Sequence, residues 1–447
     1  MSSIRPLASG FPAYTEGDWR AQAKKRRADD RDSRGTSNDI ERALPPGARG
    51  ARPVVGRPPA EPWRIVERID SGDTAEAASL AMIAIAGGAT GLEFALPASV
   101  HPLARCVEGD PTSLARSLAA LPEGLHLRID AGAPSPVAID PFLQLARTHS
   151  CELVWSFDPV VSAALQGGAP EDDRGLRQAA AAFDAHGVPG QLLVADGRSW
   201  HAGGATEEQE LGIALATYAS HARALGSADR IGIALAVDSD QFRSIAKLRA
   251  MRLLVARIVE VAGLTPPPLK VHAETAWRSL SIRDPDMNIL RATAAAFAAV
   301  VGGADSIAVI PFDAATAANS APARRLSRNL QIILAEEAHV GRVADPGAGS
   351  GVMESLTASF AEAAWKRFQS IEAEGGIIAA IAEGALLREV AEARESRLAR
   401  VARADIKLVG VNAFRGEATT ATVKRAPVKR TGPLTFKRLS SPFEDES

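Results

Sequence analysis

The sequence predicts an α/β fold, a TIM (β/α)8 barrel with an extended N-terminal arm and a disordered C-terminal tail. Three observations carry this. Short apolar runs of strand length recur along the middle of the chain, and each is followed by a stretch with helical periodicity. No tight hairpin signal joins them, so the strands run parallel with helical crossovers. The units number about eight, which closes a barrel; a doubly wound open sheet is the runner-up. The 447 residues allow one large domain plus extensions. The hydrophobic fraction of 46%, much of it alanine, supplies a core of closely packed helices.

Residues 1–60 read as an arm or linker. The stretch 20–60 is rich in Arg, Asp, Pro and Gly and cannot bury enough apolar surface to offset its ordering entropy. Before it, "YTEGDWRAQAKKR" has the pattern of one short amphipathic helix. The barrel domain spans 61–415. Its strands are expected at 91–96, 125–131, 151–157, 190–196, 231–237, 269–274 and 306–312, with a short eighth at 342–345 ("RVAD"). Helical periodicity follows in "PTSLARSLAAL", "EEQELGIALATYASHARAL" and "RRLSRNLQIILAEE". Phe94, Leu127, Trp155 and Leu193 are the bulky candidates for a filled barrel interior. Residues 416–447 are polar, basic and then acidic, and read as a disordered tail.

Composition excludes several classes of function. A formal net charge of -2 advertises neither a nucleic-acid nor a membrane partner. No run reaches the ~18 apolar residues of a spanning helix, and the N-terminus lacks a signal-peptide pattern, so a cytoplasmic protein is expected. Cys106 and Cys151 offer neither a disulfide framework nor zinc spacing. No Walker A loop, Rossmann fingerprint or nucleophile elbow is present. Acids close most of the expected strands: Asp130, Asp158, Asp196, Asp238, Glu274, Asp313 and Asp345. A metal-binding ring is one reading, and would make the chain a metal-dependent lyase. Helix capping is the favoured one, because Asp accepts orphan backbone N–H groups at helix starts and no His or Glu spacing completes a metal shell. His126 and His272 fall within strands, where a hydrogen-bonded core role is expected.

Particular motifs carry a family resemblance. "RDPDMNILRATAAAFAAVVGG" (283–303), the run from "ARRLSRNLQIILAEE" through "DPGAGS" to "IEAEGG" (323–376), and "EPWRIVERIDSGDTAEAASLAMIAIAGGATGLEFAL" (61–96) resemble blocks of the adenosylcobalamin-dependent methylmalonyl-CoA mutases. The departures are as informative. Active members precede the barrel with an arginine-glycine-proline-tyrosine stretch whose aromatics reach the substrate; here "ARPVVGRPPAEPW" holds no tyrosine. Active members follow the third strand with a glutamine-asparagine-aspartate motif and an arginine for the substrate carboxylate; here "WSFDPVVSAALQGG" holds no basic residue. Their tyrosine-histidine pair, whose histidine hydrogen-bonds the thioester carbonyl, corresponds to Trp200 and His201 in "SWHAGGATEEQEL", on a shortened glycine-rich loop. Misplacing such a donor is catalytically severe, so both residues are candidates for relics and no catalytic residue is assigned. The D-x-H-x-x-G motif that ligates cobalt is missing.

The resemblance therefore implies the small, non-catalytic subunit of the two-chain mutases, without the terminal cobalamin-binding domain. Such a chain forms a heterodimer with a large subunit that interconverts (R)-methylmalonyl-CoA and succinyl-CoA in propionate metabolism. It binds no cofactor or metal alone, while the complex holds adenosylcobalamin. The alternative is an active acyl-CoA mutase barrel served by a separate cobalamin-binding subunit, with Trp200, His201 and a base such as Arg198 converging at the mouth.

Overall fold

The computed structural model describes residues 17, 54, 57–58, 61–167, 173–266, 269–316, 318–415 and 432–444. Nine parallel strands run around a barrel axis: β1 (Arg64–Ile69), β2 (Gly91–Ala95), β3 (His126–Asp130), β4 (Glu152–Trp155), β5 (Gly190–Gln191), β6 (Leu193–Asp196), β7 (Ile231–Val237), β8 (Val271–Thr275) and β9 (Ser306–Ala308). The pairing order is β5-β4-β3-β2-β1-β9-β8-β7-β6. β5 and β6 are two parts of one stretch broken at Leu192, so the ring of an eight-strand barrel closes through it. At the break, the Leu192 and Leu193 N–H groups both donate to Arg230 O (2.8 and 3.1 Å), the two-against-one arrangement of a bulge. Gly190 makes the closure possible. It sits at φ 143°, and a Cβ there would lie 1.7 Å from Leu153 O.

Seven expected strands are present, and three expectations need correction. The first strand is Arg64–Ile69, "RIVERI", whose three charged residues disguise it as loop. The eighth, "RVAD", is no strand: Val340–Arg342 is a single 3-10 turn, and Asp345 is drawn into an ion pair with buried Arg249. The third correction concerns which way the strands face. Leu92, Phe94, Leu127, Ile129, Leu153, Trp155 and Leu193 pack outward, in one cluster with Ala77, Ala81, Leu114, Phe142 and Phe183 of the surrounding helices. In a barrel wrapped by helices the outer face is the larger apolar surface, so the bulky residues go there. The alternate residues, Arg68, Glu93, Arg128, Val154, Val194, Ala234, His272 and Glu274, line up in register around the inside.

Helices start as the capping argument requires. Asp158 accepts from the N–H groups of Val160 and Val161 to begin helix Pro159–Gln166. Asp196 accepts from Arg198 N to begin Gly197–Gly203. Thr206 and Gln209 form a capping box at the head of Glu207–Leu225. Helix Ala321–Ile332 continues as one π-turn over Ile333–Glu337.

Most of the expected arm, including its helical stretch, lies outside the described residues. Its inner end is pinned to the barrel: Val54 N donates to Asp345 Oδ2 (2.9 Å), and the buried Arg57 guanidinium donates to Ala304 O. The tail needs correcting in part. Residues 416–431 lie outside the description, but 432–444 pack on the barrel, burying Leu434, Phe436, Arg438 and Glu444. Glu444 accepts from Ile282 N and Ser281 Oγ, and Phe436 meets Trp277 edge-on. A polar sequence hides this because few residues are involved, and each finds a specific buried partner.

Candidate functional site

Barrel chemistry sits at the C-terminal ends of the strands. In this chain the axis there is filled by charge. Arg68, on β1, donates to Glu93 on β2 and to Asp130 at the end of β3 (2.8 Å). Arg128, on β3, donates through Nε to Glu93 (2.8 Å) and through a terminal nitrogen to Ser156 Oγ (3.1 Å). Arg198, two residues past β6, grips Asp196 through Nε and one terminal nitrogen and reaches Glu274 on β8 with the other (3.2 Å). His101 Nε2 lies 2.7 Å from the second oxygen of Glu274. Ser99 Oγ donates to Asp130 (2.6 Å).

Every member of this network is buried, and Glu93 at its centre is 0% exposed. Burial pushes the Glu93 carboxyl up, but the guanidiniums of Arg198, Arg128 and Arg68 hold it well below the usual range. The same anions raise the Arg198 guanidinium against the burial that would lower it. Two cavities among the described residues at this end are small. One beside Arg68, Asp70, Glu274 and Pro311, and another beside Val237, Asp238 and Thr275, hold about 10 Å³ each, no more than one water can use. A filled interior was expected, but with apolar residues; the filling is ionic.

The two relic candidates lie beside this plug, not over it. They stand on the short helix Gly197–Gly203, not on a loop, so that part of the expectation is corrected. Trp200 is 0% exposed in the apolar core, and His201 is 1% exposed. His201 Nδ1 lies 2.9 Å from Glu210 Oε2, the same oxygen that accepts from Lys247 Nζ (2.7 Å), while Glu210 Oε1 accepts from Ala236 N (3.0 Å). One carboxylate thus ties together three helices and β7. Burial, with the Arg278 and Lys247 cations nearby, holds the imidazole well below its ordinary pKa. Such a neutral, enclosed ring is positioned to brace the fold. Arg198 does not present a free guanidinium beside them, since its nitrogens are taken by Asp196 and Glu274.

The acidic ring dissolves on the same inspection. Asp158 and Asp196 cap helices, Asp130 and Glu274 belong to the ion network, and Asp313 accepts from Ser320 N. Among the described residues no three His, Cys, Asp or Glu side chains are grouped to hold a metal. Among the described residues, the imidazoles of His101 and His201 are buried and engaged by Glu274 and Glu210. Of the network's arginines only Arg198 was named among the candidates; Arg68, Glu93 and Arg128 were missed because strand period does not show which face lies inside the barrel. Their signature was nonetheless present in "HLRID", where His126, Arg128 and Asp130 alternate with Leu127 and Ile129.

A family model, methylmalonyl-CoA mutase, matches residues 179–439. The chain is also 34% identical over 397 residues to a probable methylmalonyl-CoA mutase small subunit of Mycobacterium tuberculosis, covering 83% of this chain and 61% of that one. The chain belongs to the methylmalonyl-CoA mutase family. The small subunit of Streptomyces virginiae is 33% identical over 414 residues, covering 87% of this mutase-family chain and 64% of the relative. That of Propionibacterium freudenreichii subsp. shermanii is 36% identical over 306 residues, covering 64% and 47%. The chain thus spans less than two thirds of the length of these relatives. No helix among the described residues is long and apolar enough to cross a membrane.

Proposed function

We propose that this chain is a non-catalytic small subunit of an adenosylcobalamin-dependent methylmalonyl-CoA mutase. It assembles with and stabilises a large subunit that interconverts (R)-methylmalonyl-CoA and succinyl-CoA in the cytoplasm, and the large subunit holds the cofactor and both acyl-CoA esters. The observation that carries this reading is the ionic plug. A barrel whose axis is occupied by Arg68, Glu93, Arg128, Arg198 and Glu274 has no room for an acyl-CoA arm, and His201 is sealed behind Glu210. The names of the relatives support the same assignment.

The test is mutase turnover with adenosylcobalamin in three mixtures: this chain, the large subunit, and both. Activity is expected only where the large subunit is present, and is steadied or raised by this chain. Turnover by this chain with nothing but a separate cobalamin-binding protein added would overturn the reading.

A further inference from the structure

Helices Pro159–Gln166 and Gly197–Gly203 are each about two turns long, and their heads meet. Asp158 Oδ1 caps the first, accepting from Val160 N (2.8 Å) and Val161 N (3.2 Å). Its Oδ2 accepts from the N–H of Asp196 (2.9 Å), the residue that caps the second. The far ends of the same two helices seat the C-terminal segment: Leu434 N donates to Ala164 O (3.2 Å), and Lys437 N to Ala202 O (3.4 Å). A disturbance at Asp158 therefore reaches residues 432–444 through both helices.

A buried imidazole faces this carboxyl. His221, on helix Glu207–Leu225, points Nε2 at Asp158 Oδ1 from 3.6 Å. The Val194 carbonyl accepts from the ring's other nitrogen, so Nε2 of the neutral ring is a lone pair, and it has no hydrogen-bond partner. Two acceptors thus face each other inside the protein, and one proton between them would join them. The imidazole refuses it, because burial pushes His221 down to about 3. Among the described residues no Lys or Arg nitrogen stands within ion-pair distance of Asp158. Arg198 is bound to Asp196 and Glu274, Arg128 to Glu93 and to Ser156 on β4, and His201 is turned to Glu210.

Burial and the Asp196 carboxylate push Asp158 up to about 7, against the three N–H groups that favour its ionised form. In an unfolded chain between about pH 4 and 6.5 the imidazole of such a pair holds the proton; in this fold the carboxyl does. We propose that Asp158 and His221 form a one-proton switch that controls the docking of residues 432–444. With the proton in place, Asp158 Oδ1 donates to His221 Nε2 and still accepts at the helix heads. Without it, a buried carboxylate and a lone pair repel, the heads of both short helices part from helix Glu207–Leu225, and the segment loosens. The sign is that of a carboxyl raised on folding: its contribution is full below the unfolded value near 3.9 and is lost as pH rises through about 7. The segment is held on the acid side of neutrality and released on the basic side.

Carboxyl-carbon NMR of the full chain, labelled at aspartate, tests where the proton sits. The resonance lost in Asp158→Asn is expected to titrate with a midpoint near 7. The His221 ring nitrogen, assigned by its loss in His221→Gln, is expected to shift with the same midpoint while the ring stays neutral. That signal is read in the parent chain, so it stands even where Asp158→Asn does not fold. Chymotrypsin cleavage after Phe436, normalised to a free peptide of residues 432–444, tests the docking. It is expected to run about tenfold faster at pH 8.5 than at pH 6 in the parent, and equally at both in Asp158→Asn. A carboxyl titrating in the ordinary aspartate range, or a His221 ring that takes the proton itself, would overturn the proposal. So would cleavage that is independent of pH in the parent, or that keeps its pH dependence in Asp158→Asn.

Discussion

Replacing Glu93 by Gln removes one charge from the middle of the barrel without changing its shape. Three guanidiniums depend on that carboxylate: Arg68 and Arg128 in direct contact, and Arg198 at 3.7 Å. At an effective dielectric near 20, each such pair at about 4 Å is worth about 4 kcal/mol. The neutral amide is spared the carboxylate's own desolvation, which is several kcal/mol, and Asp130, Asp196 and Glu274 still face the arginines. What remains is the usual net cost of breaking a buried ion pair on one side, about 3–5 kcal/mol. Urea denaturation followed by tryptophan fluorescence measures it, since Trp155 sits on β4 within the barrel wall. A Glu93→Gln protein within about 1 kcal/mol of the parent would refute the claim that the axis is an interdependent ionic plug.

Three further outcomes follow from the same geometry. Burial pushes His221 down to about 3, so below the unfolded value near 6.5 the unfolded chain binds a proton that the fold refuses. Stability present above pH 6.5 is lost as pH falls, by about 2 kcal/mol from this residue at pH 5; His126, His201 and His272 act in the same direction. His221→Gln should lessen the slope of unfolding free energy against pH by one proton's worth, and an unchanged slope would remove His221 from the account. His201→Gln should leave the turnover of the mixed subunits at the parent level while lowering the chain's own melting temperature; a loss of turnover at unchanged stability would contradict the bracing role. Gly432 sits at φ 78° with room for no Cβ, which would fall 1.7 Å from Leu165 O. Gly432→Ala should therefore release residues 432–444, uncover Trp277, and make that segment a protease target, at a docking cost of about 3–5 kcal/mol for Leu434 and Phe436 together; a digestion pattern matching the parent would refute it.

The barrel was legible because β2, β7 and the long helices carry apolar periods of 2 and 3.6. β1 was not, because its charged residues Glu67 and Arg68 are satisfied by partners far away in sequence: Glu67 meets Arg328 on helix Ala321–Ile332, and Arg68 meets Asp130. "RVAD" misled for the reverse reason, since its two apolar residues imitate a strand while Asp345 answers to Arg249. In "HLRID" the alternation was plain but its direction was not: period alone marks two faces without saying which is enclosed by helices. His201 was singled out as a relic candidate on the grounds of family spacing. Its actual confinement by Glu210 and Lys247 joins residues from three helices, and only the fold brings them together.

The ionic filling also bears on how such a chain can change over generations. An apolar plug can be whittled away one methyl at a time, each step a small loss. Here every arginine neutralises a buried acid, so a single replacement leaves an orphaned charge in the dark. Any lineage moving back toward an open axis must alter two or more of Arg68, Glu93, Arg128, Arg198 and Glu274 together. The plug works as a ratchet: once the interior has become a closed set of mutual debts, drift on the surface remains free while the passage through the middle stays shut.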